Sequence, residues 1–441
     1  MRKVVITGIG MVTPCGNKKE EFWANAISGK SFITAFTDFP GYNLKSRVKG
    51  SVRDFNIPDY DSAKKEKEHL GRPAQLALAA ARDAAADSGL VPGTFNSERA
   101  GTCIGNAIAN TPLSEEQFLA IKDLLQPENC AGQEELTALI REHLFVKTMF
   151  STITTDVAAR FGLKACAFTM TTGCTSGIDA LGYAWEAVRS GTADIMFCGA
   201  AEAPVTCMTI ASFDVIAAMS RKNAVPAAAS SPFDATRDGF VLAEGAGMVI
   251  LEELEHALER GAHIYCEVPG FATTSNAHHM TDLPAHGEFL SRTIKLALEA
   301  AGISPGMISY INAHGSSTPQ NDLFETAAYK AVCGANAGKM PVSSFKSVIG
   351  HPLGAASMIE IVLCCLIFEH NILPPTVNLH HPDPGCDLDY VPHKPRALDV
   401  KYILKTASGF SGIHSALVLK RYGICQDNKW HSDLQGEINK E

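Results

Sequence analysis

The chain has 441 residues, more than one ordinary domain needs, so one large α/β domain or two closely packed halves is expected. With 46% hydrophobic and 19% charged residues it can bury a large core, which excludes a disordered polypeptide. A net charge of −9 gives no global basic field for nucleic acid, and 13 cysteines without a C-x-x-C pair read as reduced, buried thiols rather than a disulfide scaffold.

The N-terminus, Met1-Arg2-Lys3, is basic, but Val4 to Thr7 reads as a buried strand. Thr7, Gly8 and Gly10 interrupt the apolar stretch too soon for a signal peptide. Gly8-Ile9-Gly10-Met11-Val12-Thr13 lacks the third glycine of a dinucleotide fingerprint, so no Rossmann cofactor site is expected there. Pro73 to Ser88 is Ala-rich and helical, with Gly89 and Pro92 stopping it. Residues 110–148 are polar and helical in character and read as a cap-like insertion over a site. A short helix over Thr155 to Arg160, a strand over Phe168 to Thr172 and a helix over Ile178 to Ser190 follow, then strands over Asp194 to Cys198 and Gly247 to Glu252. The charged helix of Glu253 to Ala262 marks a change of unit before the strand Ile264 to Val268. The chain therefore divides into 1–255, 256–425 and a polar tail, 426–441. Alternating strands and helices predict an α/β layered fold with mostly parallel strands. The longest strongly apolar run, Ile361 to Phe368, is too short to span a bilayer, so no membrane association is expected and the location predicted is cytoplasmic.

The most informative stretch is Thr171-Thr172-Gly173-Cys174-Thr175-Ser176-Gly177. A strand enters it and a helix leaves it, and Ile178, Leu181, Trp185 and Val188 give that helix one apolar face. Cys174 thus stands at a helix N-terminus, whose free N–H groups favour an anion and lower a thiol's pKa. A serine-hydrolase elbow fails on spacing, because it needs serine at Thr175. Read by itself, Cys174 is as much a buried structural thiol as a nucleophile.

Two histidines lie in similar Gly-rich turns. His314, in Asn312-Ala313-His314-Gly315-Ser316, follows an apolar strand over Met307 to Ile311, with Asp322 and Glu325 on a helix beginning after Pro319. His351, in Ile349-Gly350-His351-Pro352-Leu353-Gly354, enters a small-residue helix five residues after Lys346. The C-terminal ends of strands are where α/β folds place chemistry. With no H-E-x-x-H or C-x-x-C, and with His278-His279 and His380-His381 adjacent rather than spaced to chelate, no catalytic metal is expected.

At these motifs the chain resembles the β-ketoacyl synthase family, over about residues 2–422. The opening Val4 to Gly10, the stretch Phe233 to Phe240 with Ala243 to Gly247, the Cys174, His314, Lys346 and His351 motifs in order, and Phe410 in Gly409-Phe410-Ser411-Gly412 all carry the likeness. The resemblance implies a thiolase-like fold of five layers, α-β-α-β-α, built from two duplicated halves. It implies an acyltransferase of the 3-oxoacyl-[acyl-carrier-protein] synthase type that elongates carrier-bound acyl chains by decarboxylative Claisen condensation with malonyl-carrier protein. Thr172 to Asp179 is most similar to the KS-alpha subunits of type II aromatic polyketide synthases; a type II fatty-acid synthase enzyme is the alternative.

The resemblance further implies Cys174 as nucleophile, His314 and His351 as donors to the enolate, Lys346 with Glu360 setting local charge, and the N–H groups of Cys174 and Phe410 holding the oxyanion. Asp322 and Glu325 are supporting candidates. It implies no cofactor beyond the carrier's phosphopantetheine. The partners it implies are an acyl carrier protein and a cysteine-less chain-length factor in a heterodimer, with a homodimer as the alternative. An acidic carrier calls for a basic docking face, for which Lys64, Lys65 and Lys67, or Arg221 and Lys222, are candidates. A priming synthase would carry one histidine and one asparagine, and a thiolase a second cysteine near Phe410; neither pattern is present. Ser411 and His414 depart from the family's Gly-Phe-Gly-Gly followed by Asn or Gln.

Overall fold

A computed structural model of the chain describes residues 1–37, 39, 43–55, 70–122, 124, 137–138, 140 and 144–423. Lys64, Lys65 and Lys67, much of the expected cap and the tail 426–441 lie outside the described residues. Within residues 110–148, Thr111–Ile121 and Leu144–Thr148 are helical.

Strand β1 (Val4–Val12) is buried along its whole length. Its glycines let helix α1 (Arg72–Ser88) lie directly on it: a Cβ at Gly10 would stand 2.0 Å from the Ala80 carbonyl oxygen. Pro73 opens α1 and Gly89, at φ 73°, closes it, as the sequence predicts. The first half continues with β2 (Ala100–Gly105), α2 (Thr152–Phe161), β3 (Ala167–Met170), α3 (Ser176–Arg189), β4 (Ile195–Glu202), α4 (Cys207–Val215) and β5 (Gly245–Glu253). The second half comprises β6 (Cys266–Ser275), α5 (Glu288–Ala301), β7 (Tyr310–Asn312), α6 (Pro319–Cys333), β8 (Val342–Ser343), α7 (Leu353–His370), β9 (Tyr402–Gly409) and β10 (Ile413–Arg421). The strand expected over Met307 to Ile311 begins later, because Pro305–Met307 forms a 3-10 turn first.

These strands form one hydrogen-bonded order, β8-β7-β9-β10-β6-β1-β5-β4-β2-β3. The seam at its middle is narrow: β1 and β6 pair through Val5–Glu267 and Ile6–Cys266. On either side the order within the half is first, fifth, fourth, second, third, with the last strand antiparallel to its neighbours and the outer three parallel. That identity of order and direction is the mark of two duplicated halves.

Helices α1 and α2 cover one outer face, α5 and α6 the other, and α3 and α7 pack on each other between the sheets, giving the five layers. The predicted face of α3 (Ile178, Leu181, Trp185, Val188) joins the largest core cluster with Ile359, Val362 and Leu366 of α7. The apolar run at Ile361 belongs to an 18-residue helix that has the length and composition to cross a membrane, yet nearly all of it is buried inside the fold. Burial on every side explains its lack of a polar face.

Candidate active site

The duplication brings the expected residues together. Cys174 precedes α3, and His351 precedes α7, the matching helix of the second half. His314 follows β7 and Asn106 follows the matching strand β2. All of these turns lie at the C-terminal ends of parallel strands, so both halves aim their chemistry at one region.

Strand β3 runs into a 3-10 turn, Gly173–Thr175, before α3. Gly173 sits at φ 64°, a conformation that strains any side chain. The turn is pinned from within. Ser176 Oγ accepts from the Thr172 N–H at 3.0 Å and donates to the Gly173 carbonyl at 2.7 Å. Thr175 and Thr172 donate to one carboxylate oxygen of buried Asp179, and Ser415 of β10 donates to the other.

Burial pushes the Cys174 thiol up to about 11, while the Lys346 ammonium and the backbone N–H groups of Phe410 and Cys174 pull it back. This corrects the expectation of a lowered pKa: desolvation outweighs the helix terminus. The Phe410 and Cys174 N–H groups that lower the thiol's pKa are turned toward the sulfur.

Cys174, His314, His351 and Phe410 line one cavity of about 240 Å³. A larger hollow of about 660 Å³ opens near Met1 and Trp185 and holds none of these groups. The two imidazoles stand 5.3 Å apart, nearly perpendicular. Burial, then the nearby Lys346 ammonium, lowers the pKa of each well below the usual histidine value, so both rings are neutral at physiological pH. His351 is held by its backbone, donating to Val241 O at 2.7 Å, and by Phe240 edge-on to its ring.

Beneath the histidines lies a buried charge cluster. Lys346 Nζ donates to the His314 carbonyl and to Glu360 Oε1, both at 2.7 Å. Lys405, which sequence reasoning missed, stands 2.7 Å from Glu360 Oε2, an ion pair off the hydrogen-bonding direction, and donates to the carbonyls of Ala313 and Thr406. Two cations around one carboxylate leave a net positive charge that adds to burial in keeping the imidazoles neutral. The signal for Lys405 was the lone charged residue in the buried strand β9.

The supporting carboxylates separate in role. Glu325 accepts the N–H groups of His314 and Gly315 at 2.6 and 2.7 Å and so fixes the histidine turn. Asp322 accepts the Phe233 N–H at 2.8 Å and lies 3.6 Å from Arg237, tying the Phe233 to Phe240 stretch to α6; burial raises its pKa to about 6.

In the Phe410 loop, Ser411 lies at φ 71°, and its N–H donates to Met280 O at 2.6 Å. A serine at that left-handed position is strained where glycine would not be. His414 is buried on β10. Of the docking candidates, Arg221 is exposed, whereas Lys222 is half-buried and donates to Ser231 at 2.8 Å and Thr236 at 3.3 Å. Exposed Lys45 and Arg47 stand beside Arg221, joined to it through Asn223, and were not singled out from the sequence.

A duplicated five-layer fold whose halves contribute a cysteine and two neutral histidines to one cavity defines a condensing enzyme of the thiolase-like class. Residues 1–257 match the description "Beta-ketoacyl synthase, N-terminal domain", and residues 265–380 match "Beta-ketoacyl synthase, C-terminal domain". The chain belongs to the β-ketoacyl synthase family. It is 43% identical, over 95% of its length and 97% of the relative's, to the tetracenomycin polyketide synthase ketoacyl synthase alpha subunit of Streptomyces glaucescens. It is 38% identical to the 3-oxoacyl-[acyl-carrier-protein] synthase 2 of a Synechocystis strain, over 96% of this chain and 98% of that one. A solved type II PKS ketosynthase, bound to the hexaketide and in complex with its acyl-carrier protein, superimposes with a TM-score of 0.87 at 42% identity, covering 95% of this chain and 99% of that chain.

Proposed function

We propose that this chain is the elongating ketosynthase of a type II polyketide synthase. The observation that carries the reading is the single cavity that joins Cys174 to two imidazoles kept neutral by burial and by the cations beneath them. An acyl chain arrives on a carrier phosphopantetheine, and no resident cofactor is needed. The Cys174 sulfur attacks the thioester carbonyl while its proton passes to the departing carrier thiol, a neighbouring imidazole being the natural relay. The oxyanion rests on the Cys174 and Phe410 N–H groups, each worth about 2.7–4 kcal/mol. A malonyl-carrier then binds. Its bond to the carboxyl carbon breaks, CO2 leaves, and the electron pair becomes an enolate whose oxygen takes N–H donation from His314 and His351. The enolate carbon attacks the Cys174 thioester, the C–S bond breaks, and the thiolate takes up a proton as the β-ketoacyl-carrier departs.

The reading includes a partner subunit. Strand β3 ends the sheet, with no neighbour on its outer side among the described residues, and leaves Phe168 44% exposed; Tyr183 of α3 is 52% exposed. An apolar open edge invites pairing, and it leads straight into the Cys174 turn. A chain-length factor in a heterodimer fits the likeness to an alpha subunit; a homodimer is the second reading. Arg221 with Lys45 and Arg47 is offered as the carrier-facing cationic surface; Lys222 is committed internally. A cytoplasmic setting goes with carrier-dependent biosynthesis. The fatty-acid alternative rests on the Synechocystis relative, at lower identity.

Intact-protein mass measurement with malonyl-loaded carrier and partner tests the proposal. An acyl adduct on the wild type and elongated carrier product are expected, both absent in Cys174→Ala. Elongation by the alanine variant would refute the mechanism. Stable co-purification with a cysteine-less paralogue separates the polyketide from the fatty-acid reading.

A further inference from the structure

One departure from the family pattern makes a hydrogen-bond chain at the cavity wall. Ser408 faces His414 across the β9–β10 hairpin, with Ser408 Oγ 2.9 Å from His414 Nδ1. His414 Nε2 lies 3.4 Å from Asn276 Nδ2. The orientation of the Asn276 amide is fixed, because its Oδ1 accepts the His278 N–H at 3.0 Å. Its NH2 therefore faces His414, so Nε2 is the unprotonated nitrogen and Nδ1 carries the proton. That N–H donates to Ser408 Oγ. The serine's own proton is then left without an acceptor among the described residues, and Ser408 lines the same cavity as Cys174, two residues from Phe410. Burial also holds His414 neutral, with its pKa down to about 4.

A hydroxyl fixed at its oxygen and free at its hydrogen is a donor waiting for an acceptor in the ligand. Saturated acyl chains have none beyond the thioester. A β-ketoacyl chain carries a second carbonyl two carbons on. We propose that Ser408, oriented by His414, donates a hydrogen bond to the 3-oxo group of the acyl chain on Cys174 and so selects β-ketoacyl over saturated chains. The assignment rests on the ketosynthase reading and adds to it the feature of the chain that is recognised.

The test compares acetoacetyl and butyryl thioesters, equal in carbon number, as primers for the complete enzyme with its partner and malonyl-carrier. Ser408→Ala is expected to lower the acetoacetyl-to-butyryl ratio of kcat/KM by about fivefold to tenfold, the worth of one buried hydrogen bond. Ser408→Thr, which keeps the hydroxyl, is expected to hold the ratio within about twofold of wild type, well inside that effect. A ratio unmoved in Ser408→Ala, or lost equally in Ser408→Thr, overturns the assignment while leaving the ketosynthase reading intact. A wild type that takes neither primer onto Cys174 overturns both.

Discussion

The nucleophile rests as a thiol. With its pKa pushed up to about 11, Cys174 carries little thiolate at neutral pH, so attack and proton loss must occur together. Peptide-resolved iodoacetamide labelling of Cys174 is expected to climb steadily from pH 8 towards pH 11; a plateau near pH 8 would show a depressed thiol instead. The histidines make the opposite contribution to acid behaviour. Both folded pKa values lie well below the unfolded value, so below about pH 6.5 the unfolded chain binds protons that the fold refuses. Stability therefore falls as pH drops through that range. Thermal melting should show a lower Tm at pH 5 than at pH 7, with a smaller drop in His314→Asn and His351→Asn. The sequence carried Cys174, His314 and His351 plainly, because each sits in a short Gly-marked turn, and Lys346 through its place five residues before His351. It did not carry the sign of the Cys174 shift, since desolvation depends on what the rest of the chain packs above the turn.

The elements at the site are stiffened by charge that never meets solvent. Glu360, near the middle of α7, faces Lys346 from the short helix Lys346–Ile349 and Lys405 from β9, all three almost fully buried. Removing one member of such a cluster strands the others. Glu360→Gln is expected to cost about 3–5 kcal/mol in urea unfolding, and to slow condensation as the His314 carbonyl loses its fixed donor. A loss under about 1 kcal/mol, the scale of a surface pair, would show that the cluster is not structural. Both limits were legible for α1, and the stop of α2 at Gly162, because that Pro and Gly punctuation is local; the starts of α2 and α3 lie three and two residues before the ones read from the sequence. The full length of α7 was not, because a helix buried on every side has no periodicity to read. Lys405 was lost for a related reason: its partners come from Ala313 and Glu360, far away in sequence.

At the scale of the whole molecule, the repeated strand order explains why one site draws on both halves. No residue-level repeat was visible in the sequence; the repetition survives in pairing directions, which side-chain identity does not encode. The outer edge at β3 carries the prediction for assembly. Phe168→Asp places a charge on that edge and is expected to reduce the particle mass in light scattering to that of a single chain, with condensation lost as well. A dimer of unchanged mass would remove the β3 edge as the contact.

The mutual packing of α3 and α7 also dictates a schedule for biosynthesis. α3 leaves the ribosome more than 160 residues ahead of α7's last turn, so the apolar face of the nucleophile helix waits unpaired while most of the second half is translated. For that interval the nascent chain is sticky. Heterologous production at slow translation, or with extra holdase chaperone, should raise the soluble yield.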